Sequence, residues 1–467
     1  MDAQKALSQF GDNKRAHLED LKNLVRIPSV SFPGFSPEEV RRSARAVFDL
    51  LKTSGLENVE ILELEPGVHP YVYGDWLRAP GKPTLLLYAH HDVQPPGREA
   101  LWKSPPFDPA ERDGRLFGRG TADDKAGIVV HTAAIASWLK ACGKLPLNVK
   151  LVIEGEEEIG STHLALFLSK YSKKLQADAM ILTDTQNYDI GLPALTVSLR
   201  GLVSFDLEVR ALRSPKHSGM WGGPTPDATM ALAKILSSMV DEQGRVCIPG
   251  IWDEVRPVTG SEARAYAELS FSIPEFRAQA GFLRDTHATP ARDGTVKPLI
   301  QMWREPSLAV NAIEASSRKQ AANSIMDSAW ARFGIRLAPD MDPKRTAKLV
   351  EEHVRRVAPW GIEVGLHTHD GVGAWGIVAS GPAFEAAMQA LELGYGRKPV
   401  LMGCGGTIPF VEPFAKALGG APALLIGVED PYTNAHSENE SMVIADFYSC
   451  IKSAIHFYAL FAEAHRA

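Results

Sequence analysis

The stretch "TLLLYAHHDVQP" (Thr84–Pro95) decides the fold. Its opening run is apolar without the alternation of a half-exposed strand, so it reads as a strand buried on both faces. It ends abruptly in His90, His91 and Asp92. Two further runs share this design: "NVKLVIEG" leads into "EGEEEIGS" (Glu154–Ser161), and "AMILTD" ends in Asp184. "VEILEL" and "YVYGDW" add strands, and "DDKAGIVVHTAAIASWLKACG" is a long helix stopped at Gly143. Helices are also read over residues 13–26 and in "SPEEVRRSARAVFDLLKTSG", with Ser36 as cap and Gly55 as stop. Strands alternating with helices over roughly the first 195 residues define an α/β domain of three layers with a mostly parallel sheet.

The texture changes near residue 195. "ALTVSLRGLVSFDLEVRA" alternates apolar and polar residues, as antiparallel strands with one wet face do. "DATMALAKILSSMVD" follows as a helix, then "SAWARFGIRLAP" (strand), "PKRTAKLVEEHVRRVAP" (helix) and "GIEVGLHTH" (strand). This describes an α+β sandwich over 200–375. The first rhythm returns with "SGPAFEAAMQALELGYG", "ALLIGV" and a long last helix, so the second domain is inserted into the first, which spans 1–199 and 376–467.

In open α/β sheets the ligand crevice lies at the carboxyl ends of the strands. There this sequence places His90 and Asp92, the acidic run Glu156-Glu157-Glu158, and Asp184; "GRGTADDKAG" puts Asp123 and Asp124 at a helix start, and "AHSENE" puts His436 before the last helix. Each piece has a plain reading on its own: a surface His–Asp pair, an N-cap, a solvated acidic turn. Their convergence is a different matter. Adjacent carboxylates repel, and burying one unpaired is costly, so a cluster of them calls for a cation. Histidine and carboxylate donors without cysteine suit Zn²⁺, Mn²⁺ or Co²⁺, and two ions use several carboxylates with one bridging. "HTHD" (His367, His369, Asp370) lacks a second supporting segment and is not read as a metal site.

Composition narrows the function. The 467 residues are 45% hydrophobic and 23% charged, with a net charge of −6, which argues against a nucleic-acid partner. The apolar runs are too short to span a bilayer, and the N-terminal stretch lacks an apolar signal core. Four widely spaced cysteines form no CxxC pair, so neither a thiolate zinc site nor a disulfide framework is expected, and a cytoplasmic setting is.

Together "YAHHDVQP", "GRGTADDKAG", "EGEEEIGS", "ILTDT", "KHSGMWGG", "CGGTIP" and "AHSENE" resemble, in order, the di-zinc metallopeptidase family of carnosinases, cytosolic non-specific dipeptidases, carboxypeptidase G, aminoacylases and acetylornithine deacetylases. The resemblance lies nearest the dipeptidase and carnosinase branch. It implies that 1–199 and 376–467 form the catalytic, metal-binding domain and that 200–375 form a lid that also dimerises. It implies two divalent ions per chain, zinc foremost with manganese or cobalt as alternatives. One ion is held by His90, Asp184 and a bridging Asp123, the other by Glu158, His436 and the same Asp123. The peptide bond after Asp123 is expected cis. Asp92 orients His90, and Glu157 is the general base. Glu156 has no chemical role. His217 acts on the site of the neighbouring subunit of a homodimer. Arg336, Asn323, Thr407 and His369 touch substrate. The implied reaction is hydrolysis of dipeptides or short peptides with a free carboxylate. An N-acyl amino acid amidohydrolase is the alternative, and a peptide-binding homologue without activity a third reading. "NSIM" and Cys404 depart from the family's usual residues, which leaves the substrate open.

Overall fold

A computed structural model describes residues 3–465 apart from Ser270 and Pro409, so Pro409, the last residue of "CGGTIP", lies outside the described residues. The chain divides into two compact units, one of residues 1–197, 378–402 and 409–467, the other of 198–377 and 403–408.

The large unit is built on a mixed sheet. Its strands run in the order Glu57–Leu62, Tyr71–Trp76, Asn148–Glu154, Thr84–His90, Ala179–Leu182, Ala423–Leu425, Ala194–Leu199. The four from Asn148–Glu154 to Ala423–Leu425 are mutually parallel, and antiparallel strands flank them. Leu85, Leu86, Leu87, Tyr88 and Ala89 are all inaccessible, as the unbroken apolar run requires. Tyr71 stacks on Phe167 of helix Leu164–Leu175 at 4.0 Å, and Tyr88 lies 5.7 Å from Phe414 of helix Val411–Ala417. Helix Lys125–Cys142 packs on the Thr84–His90 strand, with helices Ala3–Val25 and Ile444–Ala464 against it. Asp124 caps this helix by accepting from the Gly127 amide, and Gly143 ends it in the left-handed region. Lys125 is fully buried and donates to the carbonyls of Leu24 and Ile27, so its cation satisfies the frayed end of the first helix. Burial lowers its pKa to about 7.

The small unit carries a four-stranded antiparallel sheet ordered Ser307–Glu314, Ser328–Leu337, Gly201–Arg210, Glu363–Thr368. Helices Ala228–Ser237 and Pro343–Val357 cover one face, and the core between them includes Phe205, Leu207, Ile235, Phe333 and Val350. Phe205 and Phe333 stack at 5.0 Å.

The structure departs from the sequence reading in three places. The first helix starts at Ala3, ten residues before the amphipathic stretch: Gly11 interrupts the pattern, but burial of Ala6 and Phe10 carries the helix through it. Ala194–Leu199 pairs with Ala423–Leu425 in the large unit's sheet and is not a strand of the sandwich. The sandwich's fourth strand is Ser307–Glu314, an edge strand that is exposed from Ala309 onward and so carries no inward-facing apolar period.

Phe333→Ala tests the inserted core. Emptying this stacked, inaccessible site should cost about 3–5 kcal/mol, read as an earlier denaturant midpoint for the small unit's unfolding transition.

Candidate metal centre

The large unit's sheet delivers its chemistry where the strands end. His90 closes one strand, Asp184 stands two residues past Leu182, and Glu157 and Glu158 form a 3₁₀ turn just beyond Glu154. Asp123 precedes helix Lys125–Cys142, and the Asp123–Asp124 peptide bond is cis. His436 lies in the connection to strand Ser441–Val443, with φ 62°, a left-handed value uncommon for a residue with a Cβ.

Asp123 is the common member. Its Oδ1 lies 2.9 Å from His90 Nε2 and its Oδ2 2.9 Å from His436 Nε2. Asp184 Oδ1 is 3.9 Å from His90 Nε2, and Glu158 Oε2 is 3.3 Å from His436 Nε2. Donor atoms of His90, Asp123 and Glu158 lie within 4.8 Å of one another, and so do those of His90, Glu157 and Asp184. The sequence-predicted acids and histidines of the large unit therefore meet in one place, and a single carboxylate spans two imidazoles.

The electrostatics show what this cluster lacks. Burial, then the charge of Asp184, pushes Glu157 well above the usual carboxylate range. Burial does the same to Asp184, and Asp123 adds to it. Glu158 is likewise raised by burial and by Asp123. Burial would also raise Asp123, but the hydrogen bonds from His436 and His90 hold it well below the normal range. Burial opposes charge on His90, yet Asp123, Asp92 and Asp184 together keep its pKa well above the ordinary value. His436 is pushed to about 11: burial opposes, and Asp123 and Glu158 outweigh it. Two imidazoles face Asp92, Asp123, Asp184, Glu157 and Glu158. Acids that dense, open on donor atoms rather than paired with Lys or Arg, fit a pair of divalent cations.

A rigid frame holds the donors. The Asp92 carboxylate accepts from the amides of Glu157 (3.2 Å) and Glu158 (3.1 Å) and from the Ser31 hydroxyl (2.7 Å), while His90 Nδ1 sits 3.1 Å from the Asp92 carbonyl and 3.5 Å from its carboxylate. Gln94 binds Glu158 through its amide (3.0 Å) and its side chain (2.7 Å). Glu440 is inaccessible and accepts from the amides of Gly120, Ala122 and Asp123 and from Arg119 at 2.7 Å. Sequence reasoning missed Ser31, Gln94 and Glu440. Gln94 and Glu440 each left a trace, standing four residues after His90 and His436 within the quoted motifs.

The remaining acids of "EGEEEIGS" point elsewhere. Glu154 accepts from the Tyr71 and Tyr88 hydroxyls at 2.8 and 2.6 Å, and burial raises its pKa to about 7. Glu156 is buried, accepts from the His69 amide at 3.0 Å and sits 2.8 Å from His163 Nδ1.

The substrate candidates lie in the small unit. His217 is exposed and accepts from the Gly219 amide at 3.1 Å; it pairs with Ser324, beside exposed Asn323, whose carbonyl receives the Ser218 amide. Arg336 Nη1 donates to Thr407 Oγ1 at 2.8 Å. His369 Nε2 stands 3.1 Å from Asp206, which also forms a two-pronged pair with Arg332.

A histidine–carboxylate cluster at the carboxyl ends of the four parallel strands of a mixed sheet, rather than of the mostly parallel sheet expected, with a sandwich inserted in the chain, is the design of a metallohydrolase. The chain belongs to peptidase family M20/M25/M40, whose family model matches residues 86–461. It is 33% identical over 362 residues, 77% of each chain, to a cysteinylglycine-S-conjugate dipeptidase of Corynebacterium striatum. Among solved structures it resembles the di-peptidase Dug1p of Saccharomyces cerevisiae and human carnosine dipeptidase 1, each with a TM-score of 0.87, 26% identity and 99% of both chains covered.

Glu156→Gln separates the frame from the chemistry. The amide removes the negative charge facing His163 and puts a donor NH₂ where the second carboxylate oxygen meets its Nδ1, so stability should fall by about 1–3 kcal/mol in thermal unfolding. Turnover at the unfolded-free temperature should stay within about twofold of the parent.

Proposed function

We propose that this chain is a di-metal dipeptidase that cleaves the amide bond of dipeptides or short peptides with a free carboxylate. The observation that carries this reading is the Asp123 carboxylate shared between His90 and His436. His90, Asp184 and Asp123 would hold one ion, and His436, Glu158 and Asp123 the other. Zinc is the first choice for this donor set, with manganese or cobalt as alternatives. Bound there, divalent ions supply Lewis acidity toward water and the amide carbonyl.

Each side chain then has one task. Asp92 orients His90 and fixes the turn that carries Glu157. Glu157 takes the proton from the attacking water and returns it to the leaving nitrogen. Arg336 offers a planar fork to the substrate's carboxylate, beside the Thr407 hydroxyl. Asn323 and His369 line the substrate.

His217 is assigned to the oxyanion of a partner subunit's site in a homodimer. Its setting supports this. Met220 and Trp221, in the same short segment, are 79% and 55% exposed, which is unusual for large apolar side chains unless they are covered on assembly. A cytoplasmic location fits the free state of Cys142, Cys247, Cys404 and Cys450. Among the described residues no helix is long and apolar enough to cross a membrane.

The primary test is Glu157→Gln. Hydrolysis of a dipeptide panel should fall by about 10²–10⁴-fold while metal analysis still finds about two ions per chain, as bridged sites of this type hold. Loss of an ion together with activity would make Glu157 a ligand instead. A parent enzyme that releases amino acids from N-acyl substrates but not from dipeptides would overturn the dipeptidase reading.

The shared site is tested by mixing two inactive variants, Glu157→Gln and His217→Ala. In the hybrid the His217→Ala chain keeps its own base and receives histidine from its neighbour, so activity should return to one site in two. Continued inactivity despite demonstrated subunit exchange would place His217 within its own chain's chemistry.

A further inference from the structure

Arg200 is the single residue between strands Ala194–Leu199 and Gly201–Arg210, and nothing in its sequence context marks it. Yet it touches every residue of the segment from Cys404 to Thr407. Its amide donates to the carbonyls of Cys404 (3.3 Å) and Gly406 (3.1 Å), and its Nε donates to the Gly405 carbonyl at 3.1 Å. Its own carbonyl accepts from the Thr407 hydroxyl at 2.6 Å. Nη1 reaches the other way, to the Glu305 carbonyl at 3.3 Å and the Ser307 hydroxyl at 3.0 Å. A Cβ on Gly405 would come within 3.1 Å of Nη2 and 3.2 Å of the Met302 carbonyl, so a larger residue there would press on the Arg200 fork.

The bond to Thr407 has a consequence for Arg336. A hydroxyl has one proton. Thr407 gives it to the Arg200 carbonyl, which turns the oxygen's lone pairs toward Arg336 Nη1 at 2.8 Å. The direction of the Arg336 fork is thus set through Arg200. The charges agree with this. Burial, and then the charge of Arg336, lower the pKa of Arg200 to about 10. Neither guanidinium has a carboxylate within ion-pair distance among the described residues. Two partly buried cations near each other, both without an anion, are completed by an anionic ligand.

Given Arg336 as the substrate carboxylate's partner, as proposed above, we infer that Arg200 is the positioning residue of that subsite: it braces the 404–407 loop against residues 305 and 307, aims Arg336 through Thr407, and adds a second positive charge that biases the subsite toward free carboxylates.

The test measures kcat and KM for a free-carboxylate dipeptide and for its C-terminal amide, in the parent, Arg200→Lys, Arg336→Ala and the double variant. Lysine keeps the charge and the main-chain bonds to Cys404, Gly406 and Thr407, and loses the fork that ties the Gly405 carbonyl to Glu305 and Ser307. Arg200→Lys should raise KM for the free acid by about tenfold, with kcat within about twofold and the amide's KM little changed. The double variant should lose little beyond Arg336→Ala alone, since both act on one contact. Equal losses on acid and amide, a fall confined to kcat, or no change in KM would overturn the inference. If Arg336→Ala itself treats acid and amide alike, the carboxylate reading falls and takes this inference with it. If Arg336→Ala discriminates and Arg200→Lys does not, only the role of Arg200 falls. Should Arg200→Lys fail to fold, Gly405→Ala displaces Nη2 directly. It should reproduce the acid-specific rise in KM, and an unchanged KM would count against the inference.

Discussion

One carboxylate organises the large unit. Asp123 gives an oxygen to each of two histidines that are more than three hundred residues apart in sequence, and the other acids gather around that pair. Such an arrangement is unstable by itself. Carboxylates packed this closely and sealed from water repel, which is why burial and mutual charge push Glu157, Glu158 and Asp184 upward in pKa. The fold tolerates them because the backbone beneath is overdetermined. Glu440 collects the amides of Gly120, Ala122 and Asp123, and Asp92 collects those of Glu157 and Glu158. A site whose donors cannot relax away from each other keeps its demand for a cation.

The question raised by three adjacent glutamates has a geometric answer. A 3₁₀ turn starts at Glu157, so neighbouring side chains fan apart rather than share a face. Glu156 turns to His69 and His163, and Glu157 and Glu158 turn to the metal centre. The same sequence run thus supplies an anchor and two acids of the histidine–carboxylate cluster. Glu154, two residues before Glu156 at the end of its strand, is satisfied in a different way, by accepting from two tyrosine hydroxyls.

Much of this was legible in the sequence because strands buried on both faces announce themselves as apolar runs, and their ends are abrupt. Thr84–His90, Asn148–Glu154 and Ala179–Leu182 were each readable in that way, together with the donors that follow them. Edge strands carry no such signal. Ser307–Glu314 faces solvent along most of its length, and Ala194–Leu199, read as part of the sandwich, belongs to the large sheet by a pairing that only tertiary structure sets. The bracing residues were hidden for another reason. Ser31 and Asp92 are sixty-one positions apart, and Arg119 and Glu440 are 321 apart. A hydrogen bond between such distant residues leaves no local pattern in either segment.

The two units solve the same problem with opposite signs. The large unit gathers Asp123, Asp184, Glu157 and Glu158 around two imidazoles, and among the described residues no acid forms an ion pair with Arg200 or Arg336 of the small unit. In each, backbone hydrogen bonds help hold the charged side chains: amides onto Glu440 (alongside Arg119) and Asp92 in one, and the carbonyls of Gly405 and Glu305 under the Arg200 guanidinium in the other. Backbone groups can position a charge without cancelling it, because their dipoles are fixed by the fold and need not reorganise when a ligand arrives. That leaves the full electrostatic demand to be met from outside the protein. Divalent cations would meet it at the sheet edge, and, on the function proposed above, the carboxylate of a peptide would meet it at the arginine fork.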